Sequence, residues 1–286
     1  MATTSLTATQ SPPRISAPWG RWGVRGIAIS YLALMLIIPL VVIFQDGLRE
    51  GLAGVWEAAS KPIAASALRL TLWTAAIMAL INGAMGLLTA YVLVRYDFRG
   101  KSILNAIIDL PLAIPTLVTG VMLVVLYGPQ SAVGSWLDST LGLRVIFAPP
   151  GIILALLFIT FPFVVRAIQP VLLDLERAQE EAAATLGAGG LTIFWRIVLP
   201  RLAVPMISGM LLSFARAIGE FGSIVIVAGN IPFKSQTAAV YVLGEVESEN
   251  RLAASALSIV MLSIAFGLVL LVSRLQKRGH KRAESS

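Results

Sequence analysis

The sequence lacks cysteine entirely and contains a single histidine, His280, in a chain of 286 residues. The absence of cysteine excludes a disulfide framework, a cysteine-based zinc site and thiol catalysis. One histidine in a polar C-terminal tail cannot form a histidine cluster. Charge is also scarce, because 13% of the residues are charged, whereas a soluble domain carries about 25%. This shortage of charge predicts that lipid replaces water around much of the surface.

Nucleotide-binding and catalytic motifs are absent as well. Gly100-Lys101-Ser102 resembles the end of a phosphate-binding loop, but Arg95 stands where that loop needs its first glycine. Paired carboxylates and a Ser/His/Asp set are missing too. We therefore predict a protein that is not itself an enzyme and that has no cofactor or metal. The net charge of +7 does not predict nucleic-acid binding, because the basic residues lie at the ends of apolar runs.

Six long apolar segments and no strand pattern predict an all-α integral membrane protein with six transmembrane helices. The first segment is too long for a cleaved signal sequence, so we predict an uncleaved span. Residues 1–25 are predicted to be a disordered tail, 26–65 the first span with an external loop, 66–274 the main transmembrane domain, and 275–286 a basic tail. The predicted spans are Gly26–Phe44, Leu70–Val94, Ile107–Tyr127, Gly151–Pro170, Leu202–Gly229 and Ala256–Val272.

The distribution of lysine and arginine predicts the orientation of these spans. With the N-terminus inside, the inner segments carry 15 of the 22 basic residues, the outer loops carry six, and Arg216 lies within a span. We therefore predict that both termini are cytoplasmic. The loop 171–201 between the fourth and fifth spans is then cytoplasmic too.

This loop is polar and rich in helix-forming residues. The composition of Leu175–Leu186 predicts a helix that ends at Gly187. A second short helix is predicted to start at a Thr192 cap and to stop at Pro200. It would expose Phe194, Trp195 and Ile197, either as a docking surface or as an interfacial helix with Trp195 at the lipid headgroups.

The same loop carries the residues of a known motif. Glu181-Ala182-Ala183, then Gly187 after three residues, Ile197 after nine more, and Leu199-Pro200 after one more match the EAA motif. The chain thereby resembles the permease subunits of binding-protein-dependent ABC importers. The resemblance implies a type I permease fold in the cell inner membrane, a second permease subunit, two ATP-binding subunits and an external binding protein. It also implies that Glu181 meets a basic group of the ATP-binding subunit, that Ala182 and Ala183 allow close packing, and that Gly187 forms the turn.

Three further strings are similar to the sulfate, thiosulfate and molybdate branch of this family. They are DLPLAIPTLVTG from Asp109, SFARAIGEFG from Ser213 and VAGNIPFKSQT from Val227. The third resembles the T subunit of the sulfate/thiosulfate system more than its W partner. The resemblance implies sulfate or thiosulfate import with a W-type partner and a sulfate-binding protein. A molybdate or tungstate importer is the alternative.

Arg216 and Glu220 stand four residues apart within the predicted fifth span, so one helix face would carry both. Charges in a span are costly and face protein or water. The pair is either a structural ion pair or a lining of the anion pathway or its gate. Asp109 is predicted to organise helices. A secondary transporter or channel driven by an ion gradient is the alternative from another class, and it would not need a cytoplasmic docking loop.

Overall fold

The structure is a computed structural model that describes residues 18–283. Within that range it is helical and has no strand. We number the α-helices in chain order: α1 Pro18–Leu32, α2 Ile38–Gly47, α3 Gly51–Ser60, α4 Pro62–Arg95, α5 Lys101–Ala113, α6 Thr116–Tyr127, α7 Ala132–Leu141, α8 Pro149–Asp174, α9 Arg177–Thr185, α10 Gly190–Ile193, α11 Leu199–Ile218, α12 Gly222–Ala228, α13 Ala238–Glu247 and α14 Arg251–Ala283. Two π-helical segments, Ala33–Ile37 and Phe194–Val198, join α1 to α2 and α10 to α11.

Among the described residues, five helical stretches are long and apolar enough to cross a membrane. They are Trp22–Gly47, Pro62–Arg95, Pro149–Asp174, Gly190–Ile218 and Arg251–Lys277. The predicted third span is different, because α5 and α6 meet at a bend of 108°. Ile114 precedes Pro115 and adopts an extended conformation, with φ −80° and ψ 129°, which a residue before proline prefers to the helical one. The prediction of one continuous helix over Ile107–Tyr127 was therefore wrong.

The predicted fifth span, Leu202–Gly229, also differs from the structure. The helix ends at Ile218, and α12 begins at Gly222 after a break of three residues. Its N-terminal side extends further than predicted, because the helical path runs unbroken from Gly190 into α11. The span therefore begins inside the predicted loop and ends at the break.

Several segments predicted as loops or tails contain helices. These are α3, α7 and α13, together with the first turns of α4. The N-terminal helix begins at Pro18 rather than at Gly26, and α14 continues to Ala283. The predicted tail residues 1–17 and 284–286, and the side chain of His280, lie outside the part of the chain that the structure describes.

The core lies between α4, α8 and α11, which pack closely through small residues. A side chain at Gly86 of α4 would meet the Val164 side chain of α8 at 2.7 Å. A side chain at Gly209 of α11 would come within 2.9 Å of the Val164 backbone. Asn82 of α4 donates a hydrogen bond of 3.0 Å to the Thr160 hydroxyl of α8. Small residues allow helices to approach closely where lipid provides no hydrophobic drive. These contacts fix the frame on which the loop after α8 is held.

Both π segments end two residues before a proline, Pro39 in one case and Pro200 in the other. A proline ring clashes with the carbonyl four residues earlier in an α-helix. A π turn moves the hydrogen bond one residue further back, as in the bond from Leu199 N–H to the Phe194 carbonyl. The helix therefore passes through each proline instead of stopping there.

Candidate functional site

The segment with the EAA motif lies at the end of the bundle where α4 and α8 end, which we call the loop end. Its helix α9 has no buried residue. Gly187 follows it with φ +85°, a conformation that glycine adopts at little cost. The Gly187 N–H donates to the Ala184 carbonyl at 2.9 Å and the Ala188 N–H to the Ala183 carbonyl at 3.0 Å, as in a Schellman motif. The predicted turn at Gly187 is therefore present in the structure.

Adjacent glutamates on α9 have different surroundings. Glu180 pairs with Arg95 at the end of α4, and its side chain is 17% exposed. Glu181 is exposed, and among the described residues no cation lies within salt-bridge distance of it. Ala182 is exposed and Ala183 half-buried. The motif glutamate and Ala182 are thus free to meet another protein.

The second half of the loop departs from the prediction. Its helix begins at Gly190 with Gly189 as N-cap and without a side-chain cap, so the predicted Thr192 cap is absent. It also continues through Pro200 into α11. Of the three residues predicted to be exposed, only Trp195 is largely so, at 59%. Phe194 packs edge-on against Tyr91 of α4, with ring centroids 5.4 Å apart.

The motif residue Leu199 and its neighbour Val198 anchor the loop to the bundle. Val198 is fully buried, and Leu199 packs against the same core cluster as Leu202. Ile197 is half-buried and Pro200 is exposed. The motif therefore has an exposed half on α9 and an anchored half at the start of α11.

Arg216 and Glu220 form an ion pair of 2.8 Å between Nη1 and Oε2, but not on one continuous helix. Arg216 lies in the last turn of α11, whereas Glu220 lies in the break. The other carboxylate oxygen, Oε1, accepts hydrogen bonds from Ser223 N–H and Ser223 Oγ, each 3.1 Å long. The Glu220 side chain is 2% exposed and that of Arg216 38%. The carboxylate is fixed while the guanidinium remains accessible.

The break at Glu220 lies beside the bend between α5 and α6. A side chain at Gly222 would meet the Thr116 hydroxyl at 2.3 Å, and one at Gly120 would meet the Ser223 carbonyl at 2.8 Å. These glycines let α6 and α12 pack together from their first turns onward. Both interruptions of the predicted spans therefore meet at one place, next to the buried carboxylate.

A second arginine cluster is not apparent from local sequence. Arg166 of α8 donates from Nε to Asp109 Oδ1 at 2.8 Å and from Nη1 to Asn105 Oδ1 at 2.9 Å. It also donates to the Asn105 carbonyl, to Asp109 Oδ2 and to Gln169. An arginine has five N–H donors, and all five are used here. Asn105 and Asp109 are four residues apart on α5 and therefore share one helix face, which was the only local sign of this cluster. The prediction that Asp109 organises helices agrees with this geometry.

Comparison with known proteins identifies the family. Residues 82–283 match the family described as binding-protein-dependent transport system inner membrane component. The chain belongs to this family. The resemblance read from the EAA motif is thereby confirmed, and the chain is a permease component and a multi-pass membrane protein.

Relatives in this family bear the T-subunit name predicted from sequence. A probable sulfate transport system permease protein cysT from Nephroselmis olivacea is 42% identical over 255 residues, with 89% of each chain covered. The sulfate transport system permease protein CysT of a Synechocystis strain is 41% identical over 269 residues, covering 94% of this chain and 92% of the relative. The predicted likeness to the T subunit is confirmed.

Solved structures agree on the fold. The chain matches a chain of a bacterial ABC transporter involved in the import of the acidic polysaccharide alginate, with a TM-score of 0.70 and 18% identity. The match covers 91% of this chain and 96% of that one. At this identity the likeness concerns the fold alone, and it supports the predicted all-α permease architecture.

Proposed function

We propose that this chain is the permease subunit of an ATP-driven importer that moves sulfate or thiosulfate across the inner membrane. The observation that carries the proposal is the exposed EAA segment on a chain about 40% identical to sulfate permeases. The partners would be a second permease subunit of the W type, two ATP-binding subunits and an external sulfate-binding protein. Membrane lipid would cover the remaining apolar surface.

The orientation is part of the proposal. The excess of basic residues in the segments on the loop side supports a cytoplasmic loop end with both termini inside. In that orientation α9 faces the ATP-binding subunits, and its exposed Glu181 is available to a basic group there. Gly187 sets the angle between α9 and the chain that returns to the membrane.

The mechanism follows from this arrangement. Closure of the ATP-binding subunits draws the docked loops together, and the helices open outward to receive the anion from the binding protein. Hydrolysis then restores the inward-open state. Each ligand must bind the two states with different affinity, because equal affinity shifts no equilibrium. We assign Arg216 and Glu220 to the pathway or its gate, where Arg216 attracts the anion and the fixed carboxylate limits how tightly it is held.

The docking test compares two charge reversals in the complete transporter. Glu181→Lys is expected to leave membrane insertion intact, to weaken copurification of the ATP-binding subunits, and to abolish uptake of radiolabelled sulfate. Arg177→Glu is the matched control, because Arg177 is exposed on the same helix outside the motif. Unchanged uptake by Glu181→Lys would show that the motif glutamate does not dock.

Transport driven by an ion gradient is excluded or established by a second measurement. Cells that depend on this permease are depleted of ATP while the ion gradient is clamped, and sulfate uptake is then followed. We expect uptake to stop. Continued uptake would favour a secondary transporter or channel.

Competition by excess thiosulfate, molybdate or tungstate then identifies the anion. Loss of radiolabelled sulfate uptake in excess molybdate alone would favour the alternative importer.

A further inference from the structure

The glutamate next to the motif connects α9 to α4, the longest helix among residues 18–283. Glu180 pairs with Arg95, the last residue of α4, and the two side chains are 17% and 8% exposed. Arg95 also donates to the Leu175 carbonyl at 3.5 Å. Because α9 buries no residue, this ion pair is the polar side-chain contact between α9 and the bundle within the described residues.

The other end of α4 is equally well attached. Thr71 Oγ1 accepts a hydrogen bond of 2.9 Å from the N–H of Ala238, the first residue of α13. Ala64 and Ala67 pack in one cluster with Ala238 and Tyr241. The 34 residues of α4 span about 50 Å at 1.5 Å per residue. One continuous helix therefore joins the Arg95–Glu180 pair to α13 at the opposite end of the bundle.

The ion pair is not fully satisfied in this arrangement. Arg95 Nε is buried and has no hydrogen-bond partner among the described residues. A buried donor without an acceptor raises the free energy of the state that contains it. Such a state exchanges more easily with one in which the guanidinium is paired differently. The ion pair thus joins α9 to α4 and leaves one buried donor of Arg95 available for a different pairing.

We propose that the Arg95–Glu180 ion pair transfers the movement of docked α9 to α4, and through α4 to α13 at the far end. This inference rests on the proposed function, since it assumes that α9 docks on an ATP-binding subunit. The inference assigns different roles to the two adjacent glutamates. Glu181 binds the partner, and Glu180 is a positioning residue that passes the movement on.

The test uses the complete transporter in lipid vesicles with the external binding protein. The readouts are radiolabelled sulfate taken up per ATP hydrolysed, copurification of the ATP-binding subunits, and the thermal midpoint. Glu180→Gln is expected to lower the sulfate-to-ATP ratio at least about fivefold, the lower end of typical coupling between sites, with copurification unchanged. Arg95→Glu is expected to act in the same way. The exchange of both charges, Arg95→Glu with Glu180→Arg, is expected to restore the ratio.

The matched control is Asp97→Asn. Asp97 lies two residues from Arg95, but its exposed carboxylate pairs with Lys101 instead. Asp97→Asn is expected to leave the ratio unchanged. An unchanged ratio in Glu180→Gln would overturn the proposal, as would a charge exchange that recovers the thermal midpoint but not the ratio. Should Arg95→Glu fail to fold, Glu180→Asp withdraws the carboxylate from Arg95 by one methylene and keeps the charge, and it is expected to lower the ratio as Glu180→Gln does. Absence of sulfate uptake by the unaltered complex would instead contradict the proposed function.

Discussion

Arg166 and Arg216 both lie within apolar helices, and their side chains are exposed to a similar extent, 32% and 38%. Their partners differ. Arg166 gives all five N–H donors to acceptors of its own chain. Arg216 has the Glu220 carboxylate as its ion-pair partner, and the described residues supply no other acceptor. Exposure alone therefore does not distinguish the two arginines, whereas the unused donors of Arg216 do, and they support the proposal that Arg216 attracts the anion.

The comparison is sharpest when each arginine is replaced. Arg216→Gln is expected to reduce sulfate uptake about tenfold to a hundredfold, which corresponds to loss of one hydrogen bond to a charged group. The thermal midpoint is expected to fall less than uptake does, because the substituted amide still offers a donor to the buried Glu220 carboxylate, which also keeps its bonds to Ser223. Uptake by vesicles and thermal denaturation of the same preparation measure both. Normal uptake with a lowered midpoint would make the ion pair purely structural.

Replacing Arg166 is expected to give the opposite result. Arg166→Ala removes the donors to Asp109 and to Gln169 Oε1 and leaves Asn105 Oδ1 with only a 3.4 Å bond from Gln169 Nε2. It is expected to cost about 1–3 kcal/mol of stability. The transport rate per folded molecule is expected to stay near that of the unaltered protein. Thermal denaturation and uptake normalised to folded protein test this. A stable Arg166→Ala variant that has lost uptake would end the distinction between the two arginines.

The carboxylate partner of Arg216 provides a smaller effect. Glu220→Gln keeps an oxygen for Ser223 but removes the charge that faces Arg216. Uptake is expected to slow about twofold to tenfold, equivalent to one hydrogen bond, because the anion is then held more tightly and leaves more slowly. Single-turnover release of radiolabelled sulfate measures it. Faster release would contradict the assignment of Glu220 as a limit on binding.

Asp109→Asn is expected to have a weaker effect than Arg166→Ala. The amide retains one acceptor for Arg166 and loses the other, which amounts to about 0.5–1.5 kcal/mol. The thermal midpoint is the measurement, and Arg166→Ala in parallel is the reference. A larger loss in Asp109→Asn than in Arg166→Ala would mean that Asp109 has a role beyond this cluster.

The smallest effect is expected at an ion pair on the surface. The hydrogen bond from the Lys101 ammonium lowers the pKa of Asp97 below its ordinary value. The contribution of the Asp97–Lys101 pair to stability is therefore present above the ordinary pKa of Asp97 and is lost as the pH falls through its lowered pKa. Because Asp97 is fully exposed, solvent screens the pair. Asp97→Asn is expected to leave the thermal midpoint unchanged from neutral to acidic pH, and a clear pH-dependent difference would contradict this baseline.

Sequence predicted the features that depend on local composition. The apolar segments, the turn at Gly187 and the family were all recognisable from residues close together in the chain. The Arg166 cluster was not, because its acceptors Asn105 and Asp109 lie 57 to 61 residues away. The span predicted over Ile107–Tyr127 includes Pro115, and the residue before this proline takes an extended conformation that interrupts the helix. The break before Gly222 is not recognisable locally, because it depends on the packing of α12 against α6, which lies about 100 residues earlier in the chain.

The opposite error occurred at Pro200, which was expected to stop a helix. The five residues Phe194–Val198, which end two residues before this proline, form a π turn, and that choice depends on how Phe194 and Val198 pack against the bundle. Local sequence carries no rule for this choice, because a proline can end a helix or be absorbed by a wider turn. The exposed face of the loop was misjudged for the same reason, since the continuous helix turns Phe194 toward Tyr91.

The π turn at Phe194–Val198 contains one residue more than an α-helix needs to cover the same turns. Deleting that surplus residue would rotate everything on its N-terminal side by about 100° around the helix axis. Such a deletion would move Trp195 and the returning chain to another side of the bundle while leaving α11 in place. The orientation of α9 and of the chain that returns from it is thus set by residue count, and a single insertion or deletion in this turn changes it.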